Sequence, residues 1–126
     1  MTFDAQSWNA MKRISSHPVG IAQGQRMLFS DFADDGPMWT GAGPRESRHM
    51  IRFDEPFAAQ PAVMVGISMW DTDGKTNLRA DLTAERITET GFELVFRTWS
   101  DTRLARIRAD WTAIGPLPDA DAWDLY

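Results

Sequence analysis

Leu78-Arg79-Ala80-Asp81-Leu82-Thr83-Ala84-Glu85 decides the fold class, because apolar and polar side chains alternate through it at strict period two. Successive strand side chains point to opposite faces. Leu78, Ala80, Leu82 and Ala84 therefore share one face and Arg79, Asp81, Thr83 and Glu85 the other, which predicts a strand over 77–87 with one wet face. Downstream, Thr90-Gly91 ends a turn, and Phe92, Leu94 and Phe96 oppose Glu93, Val95 and Arg97. A last strand over 103–114 directs Ala105, Ile107, Ala109, Trp111 and Ala113 inward and Arg106, Arg108 and Asp110 outward, and Gly115-Pro116 closes it. Upstream, Asp71-Thr72-Asp73-Gly74-Lys75 reads as a turn after a strand over 61–70. The nearly continuous apolar run of that strand predicts burial on both faces. Residues 47–57 alternate His49, Ile51 and Phe53 against Met50, Arg52 and Asp54. Residues 34–46 hold three glycines and two prolines and read as a long loop. Before it, Ile21 to Phe32 is the first strand candidate.

Six short strands punctuated by Gly and Pro predict an all-β fold, a six-stranded antiparallel β-sandwich over residues 20–115. Residues 1–19 are an N-terminal segment, either a short helix or an extended arm. Trp8, Met11 and Ile14 fall at helical spacing there, and Pro18 limits the length. Residues 116–126 form an acidic tail carrying Trp123 and Tyr126.

Composition excludes several chemistries. The 126 residues contain no cysteine, so disulfides, thiol nucleophiles and cysteine-bound metals are ruled out. Two histidines, His17 and His49, leave little for a histidine-rich centre. No run approaches the ~18 apolar residues of a membrane span. Met1-Thr2-Phe3-Asp4 does not begin a basic-then-apolar leader, so no cleavable export signal is expected. Location stays open between retention in the cytosol and release by a non-classical route. The formal charge of −5 makes the bulk field repulsive to nucleic acid. Eleven of the thirteen basic residues are arginine, whose planar fork holds paired oxygens better than an ammonium does.

Asp71 to Asn77 has the front half of a calcium-loop pattern, but the twelfth position, where a bidentate carboxylate is needed, is Leu82. A hairpin turn accounts for the same residues, and a solvated loop accounts for Asp34-Asp35-Gly36. No Gly-x-Ser-x-Gly elbow is present, neither histidine has a motif context, and spacing forces no carboxylate pair such as Asp101 and Asp110 together. No catalytic, metal or cofactor site is expected. Tryptophans in or beside loops are a stronger lead. An indole covers the C–H face of a sugar, while a guanidinium or carboxylate bonds adjacent hydroxyls. Trp39, Trp99 and Trp70 lie near predicted loops, with Arg79, Asp101 and Arg103 close in sequence. Packing in a core or a subunit contact explains tryptophans equally well.

Phe53-Asp54-Glu55-Pro56-Phe57, Pro61-Ala62-Val63, Ile67-Ser68 and Asn77-Leu78-Arg79 occur in that order. Ile87-Thr88-x-Thr90-Gly91-Phe92, Thr98-Trp99-x-Asp101-Thr102 and Trp111-x-Ala113-Ile114 follow. Together these fragments, over about residues 45–115, resemble the H-type lectin domain. The resemblance implies a sandwich that associates as a homotrimer, binding sugar between neighbouring protomers without metal or catalysis. It also implies galactose-type ligands, notably N-acetylgalactosamine. The family's binding arginine falls on Arg79 and its tryptophan on Trp99. Where well-known members carry a histidine this chain has Ser100, and where they carry a tyrosine it has Ala105. The acidic ligand before the second strand has no clear match; Gly41, Gly43 and Glu46 lie nearby. The candidate carbohydrate-binding set is thus Arg79, Trp99, Ser100, Asp101, Gly43, Glu46 and Trp39.

The expected function is non-enzymatic glycan recognition by a homotrimer, with pairing into hexamers left open. The alternative is a structural or attachment module, a spike-like component of a larger assembly, with the two termini as docking arms. Arg106, Arg108 and Asp110 then read as guanidinium–carboxylate pairs around a threefold axis, a network that Arg79 would join.

Overall fold

The computed structural model describes residues 9–14 and 18–119. Six strands follow one another: β1 (Val19–Phe29), β2 (Arg45–Arg52), β3 (Ala62–Thr72), β4 (Asp81–Glu85), β5 (Gly91–Thr98) and β6 (Leu104–Pro116). Two single-turn helices, α1 (Asp31–Asp34) and α2 (Pro37–Thr40), lie between β1 and β2. All pairings are antiparallel, in two three-stranded sheets ordered β1-β6-β3 and β2-β5-β4. Their inner faces enclose Leu28, Ile51, Phe92, Leu94, Phe96, Leu104, Ile107 and Ala109, with Met38 of α2 closing one end. The fold is the expected all-β sandwich.

The central strand β5 shows how alternation becomes packing. Phe92, Leu94 and Phe96 are sealed inside. Val95, on the opposite face, is sealed as well, because it sits between Arg48 and Thr83 in the ladder. The aliphatic stem of an arginine covers apolar surface while its head stays in water. Trp111 of β6 packs edge-on to Phe92 at 5.5 Å. Its indole lies against Gly24, its partner on β1, where a Cβ would come within 2.5 Å of the ring.

Several boundaries differ from the sequence reading, each for a local reason. The first strand stops at Phe29, not Phe32. The Asp31 carboxylate accepts the Met38 amide at 2.9 Å and its carbonyl accepts the Gly36 amide at 2.9 Å. Such local bonds draw the chain out of a strand. Part of the predicted loop 34–46 is helical, since Pro37 is preset for the first position of α2. The second strand leaves the ladder after Arg52 rather than at residue 57. There Phe53 and Phe57 donate instead to Thr90 and Glu89 and stack edge to face at 5.1 Å.

The third strand is not buried on both faces. Ala62, Met64, Gly66, Ser68 and Trp70 are exposed, Met64 by 57%, because no strand or helix among the described residues covers that side. The last strand runs on to Pro116, pairing Gly115 with Gly20. Residues 9–14 form no helix, and Met11 is 88% exposed. Trp8, His17, Trp123 and Tyr126 lie outside the described residues.

The fourth strand pairs only over 81–85, not 77–87. Residues 77–79 are held by two buried threonines in place of a ladder. Thr98 Oγ1 donates to the Arg79 carbonyl, and Thr102 Oγ1 donates to the Asn77 carbonyl. Thr102 Oγ1 also accepts the Arg79 amide at 3.1 Å. Burying a hydroxyl is tolerable when it is bonded, as both are. This brace sets the backbone from which the Arg79 side chain extends.

Candidate functional site

Rungs across β2-β5-β4 place Glu46, Arg97 and Asp81 side by side on the outer face. Arg97 bonds Glu46 at 3.0 Å and Glu85 at 2.7 Å, with Asp81 at 3.9 Å. Arg48, one rung on, reaches Glu46 at 3.1 Å and Glu93 at 2.6 Å. At the loop end of this lattice, Pro44, Arg45, Glu46, Arg97, Thr98 and Trp99 line a depression of about 360 Å³. The Trp99 indole, 43% exposed, forms one of its walls. Next along the chain, Asp101 pairs with the Arg79 guanidinium.

The lattice controls protonation. Hydrogen bonds from Arg97 and Thr83 hold the Glu85 carboxyl down to about 2. Arg48 and Arg97 lower that of Glu46, and Arg79 lowers that of Asp101. A depressed carboxyl stabilises the fold above its ordinary value of 4.5 and loses that contribution as pH falls through the folded value. On this account the melting temperature should fall between about pH 4.5 and 2, after a separate decline below pH 6.5 that comes from His49, whose pKa burial lowers. In Glu85→Gln the acid fall should be shallower; an unchanged slope would show that Glu85 carries none of it.

The sequence-derived residues divide into groups. Trp99 and Glu46 share the depression. Gly43 and Ser100 meet at its rim, where the Gly43 amide donates to the Ser100 carbonyl at 2.9 Å. Arg79 and Asp101 form the adjacent pair. Trp39 belongs elsewhere: Arg103 lies over its ring at 4.4 Å and Phe32 meets it edge to face at 5.0 Å. Glu46 sits on the second residue of β2, not in the preceding loop. Arg106, Arg108 and Asp110 bond Asp71, Ser68 and Gln25 of the same chain, and Arg79 does not join them. Asp101 and Asp110 lie apart in the fold, on the β5–β6 loop and on β6.

His49 accepts or donates a 2.7 Å bond with Ser47, and burial with Arg26 nearby lowers its pKa. Among the described residues no group of three or more His, Asp or Glu side chains is placed to hold a metal ion, and no helix is long and apolar enough to cross a membrane. A larger cavity, about 690 Å³, opens between the edges of β3 and β4. Its walls are mostly apolar, with Val63, Val65, Leu82, Ala84 and Ile87, and Lys12, Gln60 and Thr83 add polar groups, but no aromatic ring lines it to cover a sugar face.

Arg45, Arg97, Pro44 and the threonine brace did not emerge from the sequence. Arg97 gains its meaning from a register that joins it to Glu46 across some fifty residues, and no local pattern carries that information. The repeat Thr98-x-x-x-Thr102 around Trp99 was the available signal for the brace.

Residues 48–114 match the H-type lectin domain. The chain belongs to that family. Among its relatives is ORF 7 of the ATP synthase subunits region of Fuscovulum blasticum, 61% identical over 107 residues, covering 85% of this chain and 93% of that one. A discoidin-1 polypeptide of Dictyostelium discoideum is 33% identical over 81 residues, covering 64% of this chain and 32% of the relative. The solved structure of discoidin II from the same organism superposes with a TM-score of 0.61 at 24% identity, covering 85% of this chain and 40% of that chain, and shows the shared fold. This H-type lectin domain thus spans less than half of either discoidin. Its sandwich places Arg79 and Trp99 on neighbouring loops at one end.

Proposed function

We propose that this chain is a non-enzymatic carbohydrate-binding protein whose sugar seat centres on Trp99. The observation that carries the reading is the half-exposed indole walling a depression over the paired Glu46 and Arg97 side chains. An aromatic face beside fixed donors and acceptors is what a sugar's C–H face and hydroxyls require. Arg79 and Asp101 supply a second donor–acceptor pair next to the indole. Ser100 and Gly43 shape the rim through their main chain. Family membership supports glycans as ligands, with galactose and N-acetylgalactosamine the first to try. Ser100 and Ala105 remove an imidazole and a phenol, so the preference within that class is this chain's own.

The seat lies at a corner of the fold, and we place it between protomers of a homotrimer. Linking weak sites makes later contacts intramolecular and raises avidity about 100-fold or more. Light scattering and a glycan array on the intact protein test this together. A mass of three chains with galactose-type binding is the expected result. Glycan binding by a monomer would overturn the trimer, and a silent array would overturn the lectin reading. The second reading, an assembly module, is favoured by the exposed Ile21 and Met64 side chains on the outer face of β1-β6-β3. Under it the array is silent while the mass remains that of an oligomer.

A further inference from the structure

The Arg45 guanidinium makes four hydrogen bonds, every one to a main-chain carbonyl. Nε donates to Gly43 at 2.9 Å, Nη1 to Met38 at 3.2 Å and to Pro37 at 3.5 Å, and Nη2 to Ser100 at 3.2 Å. These carbonyls belong to α2, to the loop after it and to the β5–β6 loop. An arginine has five N–H donors, so four are spent on backbone. The Ser100 carbonyl also accepts the Gly43 amide, which occupies both of its lone pairs.

The two residues joined in this way are unusual in the same respect. Gly43 has φ +76° and Ser100 has φ +61°, both in the left-handed region. Glycine adopts it freely, but serine is strained there and stays only if its surroundings hold it. Ser100 directly follows Trp99. The carbonyl that Arg45 and Gly43 grip thus lies one peptide beyond the Trp99–Ser100 bond, and the grip holds the turn on which the indole stands.

Resting on the reading of the Trp99 depression as a sugar seat, we infer that Arg45 is its positioning residue: it locks the Ser100 turn to α2 and so fixes the indole. The planar fork is what the task demands. A lysine ammonium is a compact charge with three donors and does not span carbonyls on separate segments.

The test uses Arg45→Gln and Arg45→Lys in the full chain. Gly43 amide exchange should accelerate about tenfold or more in both, because local opening governs protection there. Acrylamide quenching of Trp99, read as the difference from a matching Trp99→Phe background, should rise about twofold as the turn loosens. Affinity for the best glycan on the array should fall about tenfold or more, and lysine should not rescue it. In a Trp99→Ala background the further loss from Arg45→Gln should be less than about twofold, as expected of residues that act through one another.

Unchanged Gly43 exchange and Trp99 quenching would overturn the inference, as would an additive loss in the double variant. If both variants fail to fold, the wild-type amide decides: an unprotected Gly43 overturns the inference and a protected one supports it. A silent array would end the sugar reading alone, since exchange and quenching still report on Arg45.

Discussion

Trp99→Ala is expected to weaken glycan binding roughly 30-fold per site, the equivalent of about 2 kcal/mol lost when a central aromatic contact is truncated. The indole presents a broad apolar face, and no neighbouring side chain in the depression replaces it: Pro44 is small, and Glu46 and Arg97 are committed to each other. Because Trp99 is partly exposed, its removal should leave the melting temperature nearly unchanged, so the binding loss is not an unfolding artefact. Arg79→Ala should follow with a smaller loss, about tenfold, since hydrogen bonds to charged groups contribute about 1.5–3 kcal/mol and some water returns to the site. Trp70→Ala is the matched control. That indole is exposed on β3 but does not line the depression, and its removal should leave binding intact. Calorimetric titration with a monovalent sugar separates the per-site effect from avidity. Wild-type affinity in Trp99→Ala would place the seat elsewhere.

The strands were legible in the sequence because a buried sheet face imposes its period on the chain. Leu82-x-Ala84 and Phe92-x-Leu94-x-Phe96 state which side faces the core, and the structure agrees at every one of those positions. The boundaries were less legible where side chains compete with the ladder. Residues 77–80 keep the strand alternation, yet Thr98 and Thr102, some twenty residues away, take the hydrogen bonds that a neighbouring strand would have taken. Asp31 does the same after β1.

The candidate site divides on the same line. Arg79 and Trp99 stand out by motif. The groups that arrange them, Arg45 and Arg97, are ordinary arginines until the register places Ser100 beside one and Glu46 beside the other. Trp39 marks the opposite failure. A tryptophan in a Gly- and Pro-rich loop suggests an exposed platform, but Arg103, Asp73 and Phe32 already engage this one or its stacking partner.

Phe96→Ala should be the most damaging single change to stability, costing about 3–5 kcal/mol. Phe96 is wholly buried on the middle strand of its sheet, with Ser47 and Leu82 as its ladder partners and Phe29 of the opposite sheet at 5.5 Å. It therefore bridges both layers, and the cavity left behind would be walled by elements from each. Backbone ladders on both sides of β5 resist the collapse that would fill it, which puts the cost toward the upper end of the range. A domain of this size has about 5–15 kcal/mol in total, so the variant loses at least about a fifth of that stability and, at the low end, nearly all of it. Its melting temperature should drop by roughly 10–25 °C. Met50→Ala, on the outer face of the neighbouring strand, should stay within about 0.5 kcal/mol of wild type. Urea unfolding of the three proteins measures both differences. A Phe96→Ala loss below about 1 kcal/mol would mean that the two sheets do not meet at this ring.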